Sequence, residues 1–127
     1  AERSRMSASR NATGVPLAAG VIVLALATAI THLALGLQLL SFGGTGLGLI
    51  FVLNFVGYVV LAALLYLPVR ALEPYRGAIR TAFIAYTALT IVLWVFFGTK
   101  DFVGYLNKIN EIALIALLVV ESRLRRG

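Results

Sequence analysis

A chain of 127 residues that is 61% apolar and only 13% charged, with a mean hydropathy of +0.97, has too little polar surface to cover itself as a soluble domain does. Its net charge of +6 is carried at the ends of apolar runs and reads as membrane anchoring, so nucleic acid is not expected as a partner. The absence of cysteine excludes disulfides, thiolate metal sites and iron–sulfur clusters, and the single His32 excludes bis-histidine haem ligation within one chain.

The first predicted helix covers about 15–40, interrupted only by Thr28, Thr31, His32 and Gln38. With Arg3, Arg5 and Arg10 before it, this run resembles a signal peptide, but it is far longer than the ~7–15 residues of a signal h-region and is expected to be retained. Asn11-Ala12-Thr13 matches a glycosylation sequon that falls on the predicted cytoplasmic side, where it has no use. The glycine-rich stretch Ser41-Phe42-Gly43-Gly44-Thr45-Gly46 is a tight turn. A second helix follows over 47–67, with Asn54 and Tyr58 as its polar residues. Pro68 and Pro74 then end it and admit a third over 75–97, which holds Thr81, Tyr86, Thr87 and Thr90. Gly98-Thr99-Lys100-Asp101 closes the last connection, with Thr99 or Asp101 capping a fourth helix over 101–122 that contains Asn107, Lys108, Asn110 and Glu111.

Each apolar segment is about 19–26 residues long, and about 20 residues at a rise of 1.5 Å cross a hydrocarbon core. Lipid leaves backbone amides no partner outside a helix. The expected fold is therefore one all-α domain over 1–127: an integral membrane protein of four transmembrane helices arranged as two antiparallel hairpins. Lys and Arg fix the orientation. Arg3, Arg5 and Arg10, then Arg70, Arg76 and Arg80, then Arg123, Arg125 and Arg126 flank one side, whereas the first connection has no basic residue and the third only Lys100. Both termini are expected in the cytoplasm, in a multi-pass protein of the cell membrane. A shift of 53 residues lays 49–70 over 102–123 with seven identities, among them Asn54/Asn107 and Arg70/Arg123. Leu and Ala account for the rest, and such matches arise by chance in two apolar helices.

Polar groups inside a bilayer are costly unless paired, so they carry the functional information. Counting from the connections 41–46 and 98–101, His32 and Asn54 lie about 12 Å deep, Thr90 and Lys108 about 10 Å and Glu111 about 15 Å. This places one polar slab in the outer half of the membrane, above an inner half read as nearly pure Leu, Val, Ile and Ala. Lys108 and Glu111 are spaced to pair along the helix, and Asn107 shares a face with Glu111, Leu114 and Leu118. Thr28, His32 and Gly36 form a stripe on the first helix, as do Tyr86, Thr90 and Trp94 on the third. Trp94, Phe96, Phe97, Phe102 and Tyr105 read as an aromatic belt. Ala78, Ala82 and Ala85 are a small-residue stripe suited to close packing, within the chain or against another.

The candidate ligand-binding or ion-coupling residues are thus Glu111, Lys108, His32, Asn54, Asn107, Tyr58 and Thr90. Against this stand plainer roles: interhelical hydrogen bonding for the amides and Thr90, snorkelling for Lys108, a structural bond for His32. Size and helix count invite comparison with small multidrug transporters and fluoride channels. Neither comparison holds at the residues, since the first helix lacks the embedded glutamate of the former and no counterpart of the latter's signature is present. No hydrolase, kinase, nucleotide or metal motif occurs, and an enzyme is the last of three readings. The first is an accessory or structural subunit of a larger membrane complex, partnered by other subunits or a second copy. Its slab would hold a lipid, quinone or pigment headgroup, with no metal expected. The second is a small oligomeric transporter or channel that uses Glu111.

Overall fold

The computed structural model describes the backbone of residues 2–98 and 100–126 and the side chains of 14–98 and 100–124. Four α-helices make up almost all of it: α1 (Glu2–Ser41), α2 (Thr45–Tyr66), α3 (Arg76–Phe97) and α4 (Phe102–Arg126), with a 3-10 segment, Arg70–Tyr75, leading into α3. All four are long and apolar enough to cross a membrane. Each packs on its sequence neighbours, and α1 also packs on α4 to close the ring. The expected boundaries shift at two places. α1 begins at Glu2 rather than near 15, running straight through Pro16, and α4 continues to Arg126 rather than ending near 122. Arg3, Arg5, Arg10, Asn11, Thr99, Arg125 and Arg126 lie outside the residues whose side chains are described.

The helix ends follow from local chemistry. Gly43 takes φ 85°, a left-handed conformation that glycine adopts without steric cost, and this lets the chain turn within 42–44. At the end of α2, Leu67 turns extended before Pro68. The orphaned carbonyls there are gathered by Arg76, whose guanidinium donates to Leu64 O at 3.2 Å, to Leu65 O, to Leu67 O and to Val69 O at 3.4 Å. A residue that reads in the sequence as a flanking charge is therefore also a helix cap. Lys100 does the same for α3, donating to Trp94 O at 2.7 Å and Gly98 O at 2.8 Å while sitting 4.4 Å from the Trp94 ring centroid. The Asp101 carboxylate accepts from Gly104 N at 2.8 Å, which makes it the N-cap of α4.

α1 and α2 approach most closely at Gly36 and Gly48. A Cβ on Gly36 would stand 3.0 Å from Gly48 O, and one on Gly48 would stand 3.0 Å from Gly36 O. Only glycine permits that backbone contact. The core comprises Val21, Ala25 and Ala29 of α1, Tyr58 and Leu65 of α2, Phe83 of α3, and Leu114 and Leu118 of α4. Outside it the surface is apolar over long stretches. Leu49, Ile50, Leu53, Val56 and Val60 of α2 all lie exposed, and α2 buries only Gly48, Tyr58 and Leu65. Phe42, Phe96, Phe97, Phe102 and Tyr105 stand exposed around the connections at 42–44 and 98–101.

Candidate functional site: two buried polar layers

Each candidate residue is placed by a helical stripe. On α4, Asn107, Glu111, Leu114, Leu118 and Glu121 are all buried, at successive spacings of four, three, four and three that keep one face inward. Thr28, His32 and Gly36 form the buried face of α1. On α3 the buried face is Arg80, Phe83, Thr87 and Thr90, one step around from the expected Tyr86, Thr90 and Trp94, so Tyr86 and Trp94 lie half-buried at its flank. The step arises because Arg80 and Phe83 bring larger groups into the core than Ala82 and Ala78, which are left outside.

The first layer is centred on Glu111, which is fully buried. Its carboxylate accepts from three donors: Tyr58 Oη at 2.7 Å on one oxygen, and Asn107 Nδ2 at 3.2 Å together with Lys108 Nζ on the other. Lys108 is itself only 6% exposed, so it pairs inward rather than snorkelling. The Tyr58 bond joins α2 to α4 across the middle of the bundle, between positions 53 residues apart. The ring of Tyr58 meets Tyr86 edge-on at 5.0 Å and lies 6.1 Å from His32 and from Phe83. His32 does not bond Glu111. Its Nδ1 donates to Thr28 O at 2.8 Å, which leaves Nε2 as an acceptor with no partner among the described residues. Beside this centre a second set closes α2 onto α3: Asn54 Nδ2 donates to Thr90 Oγ1 at 3.4 Å, Thr90 Oγ1 to Tyr86 O at 3.0 Å, and Tyr86 Oη to Asn54 O at 3.1 Å. Asn54 Oδ1 is buried with no donor among the described residues. All seven candidates therefore gather at one level of the bundle, with Glu111, Lys108, Asn107 and Tyr58 in one network and Asn54 and Thr90 in the other.

The rest of the bundle is not uniformly apolar, which corrects the expectation of a dry half. Toward the connection between α2 and α3, Arg80 Nε donates to Glu121 Oε1 at 2.8 Å, and Tyr66 Oη approaches both Glu121 oxygens at 3.2 and 3.0 Å. Arg80 is 6% exposed and Glu121 1%. The composition of the segments hides this pair because Arg80 is counted with the flanking charges and Glu121 lies just beyond the last apolar residue. The detectable signal was the α4 stripe, which carries Glu121 onto the same face as Glu111. The two glutamates are ten residues apart, about 15 Å along the helix, and the buried α4 side chains between them are Leu114 and Leu118.

No family model matches the sequence, and neither a curated protein nor a solved structure is found to resemble it. In both layers a tyrosine of α2 and a basic side chain converge on a buried glutamate of α4. A charge taken out of water is tolerated when a counter-charge and hydrogen bonds satisfy it, and both carboxylates meet that condition. Such an arrangement fixes the register of α2, α3 and α4 against one another. It leaves Glu111 without an exposed face on which to meet a solute.

Proposed function

We propose that this chain is an integral membrane protein of two antiparallel helical hairpins, with both ends on the cytoplasmic side of the cell membrane, that serves as an accessory or structural subunit of a larger membrane complex. The observation that carries this reading is the division of labour in the bundle. Its two buried carboxylates are each met by a basic side chain and a tyrosine hydroxyl, while its outer face is apolar along four helices long enough to span the bilayer. The exposed aromatics around 42–44 and 98–101 suit one interface, and the arginines near the connection between α2 and α3 suit the cytoplasmic one. The stripe Ala78, Ala82 and Ala85 lies exposed on α3. It is therefore free of packing duty within the chain, and small residues on a lipid-facing helix allow another helix to approach closely. A lipid, quinone or pigment headgroup in the first layer would find donors lacking at Asn54 Oδ1 and His32 Nε2, not at Glu111.

The test is isolation of the chain from its native membranes in mild detergent. The wild-type chain is expected to co-purify with a stoichiometric membrane partner. Ala82→Leu with Ala85→Leu is expected to lose that partner while the isolated chain keeps its helicity and melting behaviour. Recovery of the wild type as a monomer without a partner would refute the subunit reading.

A further inference from the structure

A cleft of about 710 Å³ opens where the end of α2, the start of α3 and the last turns of α4 meet, with Leu65, Pro68, Ala78, Arg80 and Ser122 among its lining residues. Its volume is that of a small-ligand site. The side chain that gives it chemistry is Arg80, which is more than nine-tenths buried and reaches its protein partner Glu121 through Nε alone. A guanidinium carries five N–H donors in a planar fork. The four on the two terminal nitrogens have no acceptor among the described residues, and Arg80 is one of the residues that line the cleft. Donors held so deep need acceptor oxygens, and a fork of parallel N–H bonds matches a phosphate or carboxylate edge.

Other charges in the cleft narrow the choice. Arg76 is engaged with the α2 carbonyls and pairs with Glu73 at 3.4 Å, so that exposed carboxylate is countered. Leu65, Pro68 and Ala78 offer an apolar patch beside the cation, suited to the first methylenes of an acyl chain, in a lining that is otherwise polar, with Tyr66, Thr81 and Ser122.

We propose that this cleft binds the phosphate of an anionic phospholipid headgroup, with the terminal nitrogens of Arg80 as its principal donors; this rests on the membrane reading above. Insertion places the cleft at the cytoplasmic interface, where anionic headgroups gather around basic side chains. The site would couple lipid to structure, because the same guanidinium holds Glu121 and, through it, Tyr66.

The experiment is native mass spectrometry of the full chain in detergent and phosphate-free buffer, offered phosphatidylglycerol, phosphatidylcholine or inorganic phosphate at equal concentration. One phosphatidylglycerol per chain is expected, retained about tenfold better than phosphatidylcholine. Ala78→Trp, which adds bulk to the cleft wall and leaves both members of the Arg80–Glu121 pair in place, is expected to abolish that preference at unchanged melting temperature. Arg80→Lys, which keeps the charge but loses the fork, is expected to weaken it. If inorganic phosphate displaces the lipid at equal concentration, the phosphate site stands and its source is soluble. Equal retention of the two lipids, or a preference that survives Ala78→Trp, overturns the proposal. Alkaline carbonate washing separates the two failures: a chain stripped from membranes refutes insertion, whereas an inserted chain without lipid preference refutes only the headgroup site.

Discussion

Lys108→Met is expected to destabilise the bundle by about 3–5 kcal/mol, the cost of leaving a buried charge without its partner. Glu111 is fully buried, and Lys108 supplies its only cation among the described residues, the remaining donors being the neutral Tyr58 and Asn107. The decisive comparison is the double variant Lys108→Met with Glu111→Met. A well-packed apolar pair of similar volume often replaces a buried ion pair at little cost. The double variant is therefore expected to recover about 2 kcal/mol of the loss, retaining about 1–3 kcal/mol for the Tyr58 hydroxyl and Asn107 amide left without the Glu111 acceptor. Denaturation in SDS titrations or by steric trapping would give these differences. A double variant as unstable as Lys108→Met alone would show that the pair is not the unit that matters.

Removing the second counter-ion is expected to have the next largest effect. In Arg80→Met, Glu121 keeps the Tyr66 hydroxyl but loses its cation at 2.8 Å. The loss should approach that of Lys108→Met but fall toward the lower end of about 3 kcal/mol, because the cleft lets water reach this layer. The contrast is Glu73→Ala, which breaks the Arg76–Glu73 pair. Glu73 is 66% exposed in its side chain, so that change should cost at most about 1 kcal/mol. Equal effects of Arg80→Met and Glu73→Ala in the same denaturation assay would contradict the burial of the Arg80–Glu121 pair.

These two layers also show how far the sequence could be read. Four helices, their connections and the inward stripe from Asn107 to Leu118 follow from periodicity, because a 3.6-residue repeat puts those residues on one face. The gathering of His32, Asn54, Thr90 and Glu111 at one level follows from counting residues down from the connections. What counting could not supply was partner choice. Tyr58, His32 and Lys108 all lie within reach of Glu111 by depth, and only rotation of each helix about its axis decides that Tyr58 and Lys108 bond it while His32 turns to Thr28 O. The second layer escaped for a different reason. Charges near a helix end are ordinarily solvated flanks, and Arg80 and Glu121 are identical in sequence terms to such flanks. Their spacing on the Phe83 and Leu118 stripes was the signal that they face inward. The role of Arg76 as a cap on α2 is likewise invisible until the 3-10 segment folds it back.

The claim that joins these observations is that the interior polar groups lock the bundle and that its business is conducted on its outer faces. Proton- or ion-flux measurement on the full chain reconstituted in liposomes tests this most directly. The wild type and Glu111→Gln are both expected to match empty vesicles, because Leu114 and Leu118 separate two satisfied carboxylates. Flux by the wild type that Glu111→Gln abolishes would contradict the account and make Glu111 a coupling residue.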